Sequence, residues 1–333
     1  MKTRVLLTGI GGFVGHHVMD HLLAKTDWDI VGIASWRHKG EPARVVGSRY
    51  YQENKDRVTL VTHDLTAPIS ERTKKKLGKV DYIINIASQS HVDRSIDDPV
   101  PFIRNNVDLE LNILEYARQV KPKAFIQFST DEVYGPAHGD YLSKEWDPIL
   151  PSNPYSASKA CQEAIAIAYW RTYGVPVIIT NTMNVLGERQ DKEKYLPIII
   201  GKLLRGEKVT VHGEEGDISS RFYIHARNVA DCMLFILATL PASKYPEAIA
   251  PDRYNIVGEK EMDNLELAQL VADIMDKTLE YELVEVHKQR PGHDKRYALD
   301  GEKLGLLGWN PPKNLRESLE KTISWSIKNK EWL

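Results

Sequence analysis

Cysteine is scarce in this chain: 333 residues carry only Cys161 and Cys232, which implies no disulfide framework. Strong charge of either sign is also missing. The formal net charge is −2, acids and bases are dispersed, and the single basic run, Lys74-Lys75-Lys76, reads as a solvated helix face and not as a nucleic-acid patch. No apolar run approaches a membrane span. The short hydrophobic stretch at the N-terminus ends in glycines without a cleavage site, so the expected location is cytoplasmic and no membrane partner is expected. No internal repeat or low-complexity tract is visible. His16, His17 and His21 fall on the first expected helix and His287 and His293 flank a turn, but no group of His, Cys and carboxylate has ligand spacing, so no metal is expected.

What is present is a regular alternation of apolar strands with helical stretches. Strands are expected at Arg4 to Thr8, Ile30 to Ala34, Val58 to Val61, Tyr82 to Ala87, Ala124 to Phe128 and Val177 to Thr180. Helices are expected at Val14 to Lys25, Phe102 to Val120 and Tyr155 to Tyr173. Such alternation predicts parallel βαβ units in an α/β, doubly wound (Rossmann) sheet. After Thr180 prolines interrupt the pattern, which suggests a smaller C-terminal α/β substrate lobe. The expected division is 1–181 for the dinucleotide-binding domain, with a return segment at about 222–250, and 182–221 with 251–333 for the lobe.

Three constellations carry chemistry. The first strand runs straight into Gly9-Ile10-Gly11-Gly12-Phe13-Val14-Gly15 and then a helix. Glycines there let a turn close, let backbone approach a pyrophosphate and let helix and strand pack, while the helix N-terminus faces the phosphate charge. The fifth strand ends in Ser129-Thr130-Asp131-Glu132. Taken alone, the two acids equally fit a helix cap with an acidic first turn. At the carboxyl end of a strand they could instead divide a proton donor's and a proton acceptor's work, if their environments separate their pKa values. Finally, Tyr155-Ser156-Ala157-Ser158-Lys159 places a phenol and an ammonium one helical turn apart. An adjacent cation favours the phenolate that a tyrosine base requires.

With Ser90 to Ile96, Pro154 to Ala160, Tyr254-Asn255-Ile256 and Arg290 to Ala298, this set resembles the extended short-chain dehydrogenase/reductases. Within them it is most similar to nucleotide-sugar 4,6-dehydratases of the dTDP-glucose 4,6-dehydratase type, over almost the whole chain. The resemblance implies C4 oxidation of an NDP-hexose, loss of water across C5 and C6, and return of the hydride to C6. Tyr155 would be the base at the C4 hydroxyl, helped by Thr130 and Lys159, with Glu132 removing the C5 proton and Asp131 protonating the departing C6 hydroxyl. The dinucleotide, tightly bound and regenerated each turnover, would be held by Gly9, Gly12, Phe13, Val14, Gly15, Ser35, Arg37, Asp64, Leu65, Ala87, Ser129, Tyr155 and Lys159. Substrate contacts would come from Ser90, Thr130, Asn184, Lys194, Pro197, His212, Arg221, Asn255, Arg290 and His293. The two long helices would pair with a second copy in a four-helix bundle to make a homodimer. The acid pair argues against an epimerase or decarboxylase on the same fold, and the intact set argues against a non-catalytic dinucleotide-binding regulator.

Two departures from the resembled pattern matter. The second strand ends in Ser35-Trp36-Arg37-His38-Lys39, without the acid that binds ribose hydroxyls in NAD enzymes. Cations there suit a 2′-phosphate, which favours NADP over NAD, although a solvent-facing basic loop fits the same residues. Asp64 fits either an adenine contact or a turn. Arg221 fits either a phosphate fork or a surface ion pair. His212 stands where a base-packing tyrosine is usual, which leaves the nucleotide base open.

Overall fold

The structure is a computed structural model and describes residues 2–284 and 294–333. The strands are β1 Arg4–Thr8, β2 Asp29–Ala34, β3 Val58–Thr62, β4 Tyr82–Asn85, β5 Ala124–Thr130, β6 Val177–Thr182, β7 Asn184–Leu186, β8 Val209–Glu214, β9 Asp217–Ile218, β10 Ser220–His225, β11 Asp252–Ile256, β12 Glu261–Asp263 and β13 Tyr281–Val284. The helices are α1 Phe13–Lys25, α2 Pro42–Val46, α3 Arg49–Glu53, α4 Glu71–Leu77, α5 Val92–Asp97, α6 Pro99–Val120, α7 Pro154–Tyr173, α8 Tyr195–Arg205, α9 Ala226–Thr239, α10 Asn264–Ile274, α11 Glu302–Leu306 and α12 Leu315–Lys328.

Seven strands form one sheet in the order β3-β2-β1-β4-β5-β6-β11. Every ladder in it is parallel. This is the doubly wound α/β sheet expected from the alternation, and the chain reverses direction across it between β1 and β4, where such sheets open a crevice. Side chains alternate between its faces. Val5, Leu7, Ile84, Ile126 and Ile178 pack on one side with Val18, Met19 and Leu22 of α1 and Val229, Met233 and Ile236 of α9. Leu6, Ile83, Phe125, Val177 and Ile179 pack on the other with Leu109, Ile113 and Ala117 of α6 and Ala166 and Trp170 of α7. The period of two along each strand sorts the side chains this way, and each buried Leu, Ile or Phe stabilises the fold by about 1.5–3 kcal/mol.

The helix that carries the tyrosine and lysine has a defined start. Asn153 accepts from the Ser156 amide at 2.9 Å, Ser156 Oγ accepts from the Asn153 amide at 3.1 Å, and Pro154 occupies the first turn. Lys74, Lys75 and Lys76 lie on α4, as expected of the basic run. Two three-stranded sheets, β12-β10-β7 and β13-β8-β9, make the rest. A third core of Leu196, Ile199, Val209, Val211, Leu267, Val271 and Leu319 lies there.

The return to the large sheet differs from the expected 222–250. Phe222 to His225 belongs to β10, which pairs with β7 and β12. The chain returns with α9, which packs beside α1, and ends in β11, whose Asp252–Ile256 hydrogen-bond beside β6. Among the described residues no helix is long and apolar enough to cross a membrane.

Candidate active site

A single long cleft follows the carboxyl ends of β1, β2, β4 and β5. Its lining includes Gly9, Gly12, Phe13, Val14, Gly15, Ser35, Arg37, Asp64, Leu65, Ala87, Ser129, Tyr155 and Lys159, together with Ser90 and Lys194. All the residues expected at the dinucleotide therefore share one wall system, although they come from six separate stretches of chain.

The glycine turn explains itself by contact. Gly9 has φ +67°, and a Cβ there would lie 3.1 Å from the backbone of Ala87 after β4. A Cβ on Gly15 would lie 2.1 Å from the Gly9 carbonyl oxygen, so α1 approaches the turn as closely as it does only because residue 15 has no side chain. The Gly12 amide donates to the Gly9 carbonyl at 2.8 Å, and the first turn of α1 holds no acid that would compete with an anion. Thr8 Oγ1 accepts from the Ile86 and Ala87 amides, both at 3.0 Å, and fixes the β4 end of the crevice. Ser129 Oγ and Asp131 Oδ2 are buried without a partner among the described residues. A phosphate cradle at one end and unpaired polar atoms at the other fit a dinucleotide lying along the cleft with a substrate beyond its reactive end.

At that end Thr130 Oγ1 donates to Asp131 Oδ1 at 2.8 Å, and Glu132 Oε2 accepts from Asn153 Nδ2 at 3.1 Å and the Tyr297 hydroxyl at 3.4 Å. Burial raises Asp131 to about 6, and burial with the adjacent Asp131 charge raises Glu132 to about 7. Two carboxyls that titrate near neutrality can hold one proton between them, so that one accepts while the other donates. Tyr155 adjoins them through a hydrogen bond with Thr130, while burial and the Glu132 charge push its phenol above the usual tyrosine value.

Lys159 lines the same cleft as Tyr155. Its Nζ donates to the Phe128 carbonyl and to Gln162 Oε1, each at 2.6 Å, so this deeply buried ammonium is met by two acceptors.

The substrate residues separate. Asn184 is exposed at the start of β7, and His212 lies on β8 beside β13, outside the cleft lining. Pro197 is buried in the first turn of α8, which Lys194 precedes. Arg221 is 5% exposed, so it is no surface ion pair. Its guanidinium donates to the backbone carbonyls of Ser220, Asp294 and Lys295 and lies 4.7 Å over the Tyr297 ring, and its charge acts on both Asp131 and Glu132. Asn255 does not face the cleft. It is fully buried, and its amide donates to the carbonyls of Ser143 at 3.0 Å and Asp300 at 3.1 Å. Arg290 and His293 lie outside the described residues.

The cationic end of β2 is also modified. Arg37 is paired with Asp64 across the cleft mouth, so its charge is already balanced by a carboxylate. Sequence reasoning missed Glu193, toward which Lys39, after β2, converges at 3.0 Å and His91 and Arg94, at the start of α5, at 3.2 Å. Their separation along the chain left no local signal.

The profile of the NAD dependent epimerase/dehydratase family matches residues 5–256. The chain belongs to this family. It is 31% identical to dTDP-glucose 4,6-dehydratase 1 of Escherichia coli K12, over 99% of this chain and 94% of that one. The crystal structure of a dTDP-glucose 4,6-dehydratase from Streptomyces venezuelae with NAD bound is 30% identical and superimposes with a TM-score of 0.87, covering 99% and 98% of the two chains. A UDP-glucose 4-epimerase from Thermus thermophilus in complex with NAD is similar at 26% identity and a TM-score of 0.83, covering 97% and 98%. The family is described as NAD dependent, and both solved structures hold NAD. The lean toward NADP drawn from Arg37, His38 and Lys39 has no counterpart in them, and Arg37 is already paired with Asp64.

Proposed function

We propose that this epimerase/dehydratase is a nucleotide-sugar 4,6-dehydratase that converts an NDP-hexose to the NDP-4-keto-6-deoxyhexose. The observation that carries the reading is the meeting of Tyr155, which lines the cleft, with Thr130, Asp131 and Glu132, both carboxyls being raised toward neutrality by burial. A 4-epimerase needs an acid-base group at C4 but not a second carboxyl pair. The glycine turn, Ser129 and Lys159 would hold NAD, which would supply a hydride acceptor when bound.

Tyr155 takes the proton of the C4 hydroxyl, and Thr130 holds the same oxygen while C4 loses its hydride. The resulting ketone acidifies C5. Glu132 then removes the C5 proton, Asp131 gives its proton to the C6 hydroxyl, and water departs. The hydride returns to C6 and the C5 proton is restored, so the sugar is rearranged without net oxidation. The pKa order, with Asp131 below Glu132, is the reverse of these donor and acceptor roles. Position in the family's motif decides the assignment. Ser90, Lys194 and Arg221 bind the sugar and diphosphate, and the lobe formed by 182–221 and residues beyond β11 holds the nucleotide. The protein works as a cytoplasmic homodimer joined through α6 and α7.

The test is incubation with a panel of NDP-hexoses while following a 4-keto-6-deoxy product. Its formation supports the proposal. Interconversion at C4 without dehydration makes the protein an epimerase, and no reaction with any sugar supports a binding role.

A further inference from the structure

Below the floor of the cleft lies a polar layer shut off from solvent. It contains Asn85 of β4, Gln127 of β5, Glu110 of α6, and Lys159 and Gln162 of α7, of which only Lys159 reaches even 3% exposure. Glu110 stands in the buried stripe of α6 between Leu109 and Ile113, where an amphipathic helix ordinarily presents an apolar side chain. Its carboxylate accepts from Asn85 Nδ2 at 2.8 Å, and the Gln127 amide nitrogen, turned toward it, donates to its two oxygens at 2.9 and 3.1 Å. On the far side of this layer Lys159 Nζ donates to Gln162 Oε1, and Gln162 Nε2 donates to the Asn106 carbonyl one turn before Glu110.

A buried carboxyl supplied with donors is arranged to be ionised, and a buried anion requires a counter-charge. The neighbouring acid Glu163 has its own, Arg253 Nη2 at 2.7 Å, with Asn181 Nδ2 at 2.8 Å. No ion pair within 4 Å is described for Glu110, and the cation that acts on it is Lys159.

We propose that Glu110 is a positioning residue for Lys159, a counter-ion acting across the glutamine layer that keeps the ammonium charged at the underside of the cleft. This rests on the reading that Lys159 serves the reaction. The charges that bear on Lys159 are Glu110 from α6 and Glu163 from its own helix, the latter held by Arg253 of β11. Burial disfavours both charges, lowering Lys159 and raising Glu110, and each charge opposes the shift of the other.

The experiment is a titration of the free protein carrying 13C-labelled lysine side chains, with the Lys159 resonance assigned by its loss in Lys159→Met. Glu110→Gln keeps an acceptor for Asn85 and removes only the charge. Its Lys159 midpoint is expected to fall by about one pH unit or more. Its kcat is expected to decline at neutral pH with KM for the nucleotide sugar unchanged. Conversely, Lys159→Met leaves Glu110 without its cation. A protonated-carboxyl band should then appear in the infrared spectrum at neutral pH and vanish when Glu110→Gln is added. An unmoved Lys159 midpoint, or no new carboxyl band, overturns the proposal, and if Glu110→Gln does not fold the band in Lys159→Met is assigned by 13C-glutamate labelling and decides alone. Because both titrations are read without turnover, a protein that shows the coupling but dehydrates no sugar refutes the proposed function and leaves this inference standing.

Discussion

Glu132→Gln should stabilise the protein while removing its activity, and the size of the stabilisation should depend on pH in a defined window. Burial and the Asp131 charge raise Glu132 from 4.5 to about 7 in the folded chain. A carboxyl raised on folding contributes most stability below its unfolded value and loses it as pH climbs through the folded value. The wild-type protein therefore weakens between about pH 4.5 and 7 relative to a variant with a neutral amide there. At about 1.4 kcal/mol per unit, the difference reaches at most about 3.5 kcal/mol above pH 7, an upper bound because the side chain is partly exposed. For a chain of this length that corresponds to a rise in Tm of up to about 5 °C. The amide can still accept from Asn153 or Tyr297, so no buried donor is stranded. Calorimetric scans at pH 4, 6 and 8 should show a Tm difference near zero at the lowest pH that grows with each step. A constant difference, or a variant less stable than wild type at pH 8, would refute the reasoning. In the same variant C4 oxidation should continue, so reduced cofactor accumulates without dehydrated product.

Tyr155→Phe removes one hydroxyl from a packed ring and should lower kcat by about 10²–10⁴-fold with Tm and NAD affinity nearly unchanged, as steady-state kinetics and cofactor titration would show. Gly15→Ala drives a methyl into the Gly9 carbonyl, so NAD affinity measured by calorimetry should fall at least about tenfold and denaturant stability by about 1–3 kcal/mol. Asp64→Asn frees Arg37 from its ion pair and should raise NADP binding relative to NAD, an effect abolished by adding Arg37→Ala; an unchanged ratio of the two dissociation constants would show that Arg37 points away from the ribose.

Features encoded over a few residues were readable in the sequence. The glycine turn, the strand ending in Thr130-Asp131-Glu132 and the Tyr155 to Lys159 spacing each need only local geometry, and the alternation of apolar strands was enough for the sheet. What escaped depends on partners far along the chain. Asp64 lies 27 residues from Arg37, and only the folded cleft brings the two together. Tyr254-Asn255-Ile256 was recognisable as a motif. Which face Asn255 takes, however, follows from its register beside Asn181 of β6, and that register turns its amide inward. The inward turn of Lys159 reflects Gln162 and the depth of burial, neither visible in a tyrosine-lysine spacing. Phe222 to His225 was expected within the return, but Tyr223 to His225 pairs with Asn184–Leu186.

The meeting of Lys39, His91 and Arg94 at Glu193 makes the mouth of the cleft a different material from its floor. The floor is held by buried hydrogen bonds that dissolved ions scarcely reach, while Lys39 and Arg94 are 38% and 53% exposed. Ionic strength therefore acts as a selective solvent for the rim: at high salt the segment around Glu193 should exchange its amide protons faster and bound NAD should dissociate sooner, with the protection of β1, β4 and β5 unchanged. If the proposed reaction regenerates the cofactor in place, the chemistry gives no need to let it go, and this cluster of ion pairs makes retention a property of the medium as well as of the protein.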